Sequence, residues 1–179
     1  MTLNGTSRRR TAISPTPPST PRLRMQPTGS RRTLLDGGWW PRSTDPVAEL
    51  PGLILVIDRL HGPITRLVLS SAGWTDHPRR RLGVAGRLLR LGYFTSQPAS
   101  LLTALIEDSD RVDLLVVPPG TAKRTADAAL AIAASSDNRV HAQDILHTVG
   151  IPAPAGADPA AQDSWEGEGG HLAAAPRVP

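Results

Sequence analysis

Residues 101–136 read LLTALIEDSDRVDLLVVPPGTAKRTADAALAIAASS, and this stretch decides the fold class. Leu101 to Ile106 and Val112 to Val117 are apolar runs of strand length. The polar turn Glu107-Asp108-Ser109-Asp110-Arg111 joins them, which predicts an antiparallel pair. Pro118-Pro119-Gly120 stops the second strand, because proline cannot donate to a sheet ladder. Thr121 can then cap a helix to about Ser136, with Ala122, Ala126, Ala129, Leu130 and Ala133 turned toward the sheet. Small residues on that face allow close approach. A hairpin followed by a helix that packs on it reads as α+β.

Working toward the N-terminus, Arg87 to Phe94 alternates. Arg87, Leu89, Leu91 and Tyr93 share one face of a strand, and Leu88, Arg90, Gly92 and Phe94 the other. Gly83 to Arg87 lacks phosphate-cradle spacing and reads as a turn or bulge. Ile64 to Ser70 is β-branched and aliphatic on both faces, as in a central strand, and a loop with Gly73, Trp74 and Pro78 follows it. From Ser43 the pattern turns helical: Thr44 or Asp45 can cap, Pro46 suits the first helical position, and Val47, Leu50, Ile54 and Ile57 recur at spacings of three and four. Pro51-Gly52 predicts a kink, or a second helix starting there, and Gly62-Pro63 ends the run. Leu23 and Met25 alternate with Arg22 and Arg24, the pattern of a short edge strand.

These elements predict one α+β domain over residues 21–138. It has a mainly antiparallel sheet of four or five strands with two principal helices on one face. Residues 1–20 read as a disordered basic Ser/Thr/Pro-rich tail, and 139–179 as a disordered acidic tail rich in Ala, Pro and Gly, with at most a fraying helical turn at 140–149. The chain has 179 residues and no Cys, so disulfides and Cys-ligated metals are excluded. Its apolar runs fall far short of the roughly 18 to 20 residues of a bilayer span. Arg8-Arg9-Arg10 precedes a Ser/Thr/Pro-rich stretch rather than the apolar region of an export signal, so the expected location is the cytoplasm.

Leu35-Asp36-Gly37-Gly38-Trp39-Trp40-Pro41-Arg42-Ser43, then Leu50-Pro51, then Asp113-Leu114-Leu115-Val116-Val117-Pro118-Pro119, form an ordered motif set. In these the chain resembles an actinobacterial family of small proteins whose shared domain is of unknown function. The resemblance spans roughly Pro21 to Asn138 and implies a single bacterial domain, without a catalytic residue or cofactor to carry over.

Chemistry-bearing constellations are sparse. The histidines at 61, 77, 141, 147 and 171 lack metal-site spacing, Glu107, Asp108, Asp110 and Asp113 lack the central Gly and terminal Glu of a calcium loop, and no nucleophile elbow is present. No metal or cofactor is expected. Two surfaces stand out. Trp39, Trp40, Arg42 and Trp74 suit a planar or anionic ligand, or a partner surface. Arg79, Arg80, Arg81, Arg87 and Arg90 near Tyr93 form a stripe for an anionic partner. The expected function is a non-catalytic cytoplasmic binding or regulatory module, its partner a protein or small anionic ligand ahead of nucleic acid. The alternatives are a small enzyme with a pocket around Trp39, Trp40 and Arg42, and a weak single-stranded nucleic-acid binder.

Overall fold

In a computed structural model of the chain, residues 11–27, 33–75, 80–107 and 110–152 are described. The strands are β1 (Thr11–Ile13), β2 (Leu23–Met25), β3 (Gly37–Trp39), β4 (Ile64–Ser70), β5 (Arg81–Val84), β6 (Arg87–Phe94), β7 (Leu101–Ile106) and β8 (Arg111–Val116). The helices are α1 (Pro46–His61), α2 (Lys123–Ala133) and α3 (Ala142–Thr148). All eight strands join one sheet in the order β1-β5-β6-β4-β7-β8-β3-β2.

The fold is α+β, as expected, but the sheet is larger and mixed. The hairpin β7–β8 is antiparallel, as are β4 with β7, β5 with β6 and β2 with β3. Parallel pairing joins β1 to β5, β3 to β8 and β4 to β6. These parallel pairs connect residues far apart in sequence, and three of the strands span only three residues, too few to show a period. β2 is the edge strand that its arginines predict. β5 and β6 form a two-residue hairpin whose turn residues Ala85 and Gly86 both have positive φ, matching the right-handed twist of the strands.

The helices lie on both faces of the sheet, not on one. β8 is buried along nearly its whole length because each of its faces is covered. Leu114 and Val116 face α1 in one core, with Trp39, Leu67, Leu69, Leu89 and Leu102. Leu115 and Val117 face α2 and α3 in a second core. Gly38 lets α2 settle onto β3, since a Cβ there would come within 2.8 Å of Leu130 Cδ2 and 3.2 Å of Ala133 Cβ. Ala126, Ala129, Leu130 and Ala133 turn inward as expected. Ala122 is instead exposed and stands at the cap position, with no side-chain bond, so Thr121 does not cap α2.

α1 begins at the Asp45 cap, whose carboxylate accepts from Val47 N, and continues through Pro51 without a break. Proline in the sixth helical position forfeits one backbone bond, and the complete burial of Leu50, Leu53, Ile54 and Ile57 offsets that loss. Residues 14–22 strap across this helix at Gly52, where the Ser19 carbonyl occupies the place of a side chain.

Order extends beyond residues 21–138 on both sides. β1 pairs with β5 and buries Ala12, and α3 buries Ala142, Ile145 and Leu146 against the second core. The expected fraying turn is thus a packed helix. Its few apolar residues gain stability from the neighbouring α2 and β8 rather than from their own periodicity. The rest of the two expected tails, residues 1–10 and 153–179, lies outside the described residues.

Candidate functional site

The paired tryptophans lie where β3 ends, and their side chains enter opposite cores. Trp39 stacks on Trp74 with ring centroids 5.8 Å apart and planes 21° apart. Trp40 lies among the α2 and α3 side chains, and its Nε1 donates to the carbonyls of Pro118 and Pro119 at 3.2 and 3.3 Å. The Arg22 guanidinium sits 3.4 Å over the Trp40 ring, its Nε donating to Trp40 O and its Nη2 to Pro41 O. Burial lowers the Arg22 pKa, and the nearby Arg42 charge lowers it further.

Arg42 does not join an aromatic wall: its Nη1 donates to Thr20 O in the strap. Its backbone N–H and the Ser43 hydroxyl both donate to the Glu49 carboxylate at 3.0 Å, tying the chain before α1 to the first turn of that helix. Trp39, Trp40 and Arg42 therefore fasten the strand end, the strap and α1 together.

Beside them is a 160 Å³ cleft whose lining includes Pro41, Ser43, Thr44, Trp74, Pro118 and Pro119. It lies beyond the carboxyl ends of β3, β4 and β8, a position where sheets commonly bind ligands. Its size is below the roughly 300 Å³ at which ligand pockets begin. Only Trp74 of the four expected residues lines it, and no lining side chain is ionisable. The sequence reading missed Pro118 and Pro119 as lining residues because they follow β8, far in sequence from Ser43 and Trp74.

The expected arginine stripe is divided by the sheet. Arg87 turns to the α1 side, pairs with Asp58 and donates to Ile64 O. Tyr93 packs against the same core, and burial, followed by the Asp45 charge, pushes its pKa up to about 12. Arg80 is exposed ahead of β5, and Arg79 lies outside the described residues. Arg81 and Arg90 stay together as direct cross-strand neighbours on the opposite face.

On that face the structure adds residues that the sequence reading missed. Arg90 is in register with Arg66 of β4, Arg66 with Leu105 of β7, and Leu105 with Arg111 of β8. Arg81, Arg90, Arg66, Leu105 and Arg111 thus form one row across five adjacent strands. α2 and α3 cover the β2, β3 and β8 end of this face, with Leu101 of β7 packed against their core, and no described helix covers the β1, β5, β6 and β4 end.

Arg66, Arg81 and Arg90 have no acidic partner among the described residues, whereas Arg111 pairs with Asp113 at 2.9 Å. Asp113 is buried, accepts from Thr103 Oγ1 and donates its backbone N–H to Asp36. Burial raises the Asp36 pKa, the bond from Asp113 N–H opposes that rise, and the Asp113 charge adds to it. Asp36 and Asp113 therefore stand at the β8 end of the row.

Among the described residues no group of three or more His, Asp or Glu could hold a metal ion, and no helix is long and apolar enough to cross a membrane. No curated protein and no solved structure matches the chain. A family model does match over residues 22–133, which take in the tryptophan pair and every strand of the arginine row, and the chain belongs to that family, the Family of unknown function (DUF5994).

Proposed function

We propose that the protein is a non-catalytic cytoplasmic binding module whose open sheet face takes an extended polyanion. The observation that carries this reading is the row Arg81, Arg90, Arg66 and Arg111, aligned in one register, of which the β5, β6 and β4 members lie where no described helix covers this face of the sheet. At about 4.8 Å between strands, the row spans about 19 Å, the reach of several successive anionic groups rather than of one small anion. Three of its guanidiniums have no acidic partner among the described residues, so an incoming anion displaces no described ion pair there. The cleft beside Trp74 offers the hydroxyls of Ser43 and Thr44 and no ionisable group, which supports a binding role over the small-enzyme alternative.

The test is titration of the full chain with inorganic polyphosphate. With three to four contacts, each worth a salt slope of about 0.7, affinity should fall about 20- to 50-fold from about 50 to about 200 mM salt. The double variant Arg66→Glu/Arg90→Glu should lose most of the affinity and flatten that slope. Equal binding by the double variant and the parent would defeat the proposal.

A further inference from the structure

The arginine row is flanked on both sides by exposed apolar groups, and this narrows the kind of polyanion that fits. Phe94, the chain's only phenylalanine, lies on the same face two residues beyond Gly92 and is 41 % exposed. A Cβ on Gly92 would meet Phe94 Cε2 at 2.7 Å and Arg66 Nη2 at 3.1 Å, so ring and guanidinium share the space above the bare glycine backbone. The Arg66 Cζ is 5.7 Å from the ring centroid. On the other side of the row, Leu88 and Ile13 are 58 % and 73 % exposed, both registered to Gly83 of β5. The face therefore alternates across its width: aromatic ring, cations, aliphatic side chains.

Accepting the face as a polyanion site, we infer that its partner is a single-stranded nucleic acid, its phosphates on the arginine row and a base stacked on Phe94. A charged backbone bearing planar apolar groups matches this alternation. Polyphosphate has no face to place on the ring, and a duplex keeps its bases inside the stack. The ring is held against the strand by the missing side chain at position 92, so little rotamer freedom remains to be lost when a base stacks on it.

The full chain is titrated at low salt with a fluorescent oligouridylate of about 12 nucleotides, a length within the usual single-strand site range, and in parallel with a duplex of equal length and with polyphosphate. The oligouridylate should bind most tightly. Phe94→Ala should weaken oligouridylate binding about 5- to 100-fold, the range that stacking of one base supports, and should leave polyphosphate affinity within about twofold. Phe94→Trp should restore the oligouridylate affinity, and circular dichroism should show both variants folded.

Equal loss for both ligands in Phe94→Ala, no loss for either, or duplex binding as tight as single-strand binding would overturn the nucleic-acid inference while leaving the polyanion site standing. Polyphosphate binding indifferent to Arg66→Glu/Arg90→Glu would remove the site itself, and the inference with it.

Discussion

Gly52→Ala is a substitution whose sign depends on the strap over α1. In an unobstructed helix interior, replacing glycine with alanine stabilises by about 1 kcal/mol, because the glycine backbone has more freedom to lose on folding. At position 52 the new Cβ would lie 2.0 Å from Ser19 O, 3.2 Å from its carbonyl carbon and 3.6 Å from its nitrogen. These are backbone atoms, so the strap must retreat bodily. It is held at both ends: Ala12 pairs with Leu82, Thr20 O accepts from Arg42, and Arg22 binds the carbonyls of Trp40 and Pro41.

Forcing an extra methyl into such a contact costs about 1 to 3 kcal/mol, which cancels or outweighs the helix gain and leaves the full chain destabilised by about 0 to 2 kcal/mol. In a chain lacking residues 1–20 the obstruction is gone, and the same substitution should stabilise by about 1 kcal/mol. The region matched by the family model begins at residue 22, so this truncation leaves it whole. Urea unfolding of the four proteins, followed by circular dichroism, closes a double-mutant cycle with an expected coupling of about 1 to 3 kcal/mol. Equal stabilisation by Gly52→Ala in both backgrounds would show that the strap does not rest on the helix.

Three further outcomes follow from particular residues. Ile145 is completely buried, so Ile145→Ala should cost about 2 to 4 kcal/mol in denaturant unfolding, and a cost below about 0.5 kcal/mol would return α3 to a fraying turn. Tyr93 is the chain's only tyrosine, and its pKa is raised from 10.0 to about 12, so tyrosinate absorbance should appear near pH 12 while the protein stays folded. The neutral form is favoured in the fold; its contribution to stability is complete below pH 10.0 and is lost as pH rises through about 12, so Tyr93→Phe should resist alkaline unfolding better than the parent. A folded-state tyrosinate midpoint near 10 would refute this. Ala85 holds a φ of 48° in the hairpin turn, and Ala85→Asn should stabilise by about 1 kcal/mol, whereas a destabilised variant would contradict the turn geometry.

Much of the fold was legible because it is local. The cap at Asp45, the proline at the first position of α1, the hairpin β7–β8 and the inward alanines of α2 each depend on residues within one or two turns of each other. The parallel pairings were not legible: β3 meets β8 and β1 meets β5 across long stretches of chain that carry no signal of partner choice. Gly38 shows the same limit, since the approach of α2 explains that glycine only after the helix has been placed on β3. β1 carries no sequence signal and α3 reads as no more than a fraying turn, because each contributes few apolar residues and their stability comes from burial against neighbours that the sequence does not identify.

The candidate site follows the same division. Arg81 and Arg90 come from one hairpin and could be grouped by proximity, but Arg66 and Arg111 join them only through strand order. Arg66 presents the sharper difficulty. Ile64 is in the core, and strict alternation along β4 would send Arg66 into the core beside it. The register of β4 against β7 shifts between Ile64 and Arg66, so that Ile64, Leu67 and Leu69 all face α1 while Arg66 turns to the open face, in line with Arg90 and Leu105. A bulge is a local irregularity whose consequence here reaches across five strands. Without it, a desolvated arginine would sit beneath α1 and the row would break in its middle. The irregularity of β4 therefore satisfies the core and completes the cationic surface at once.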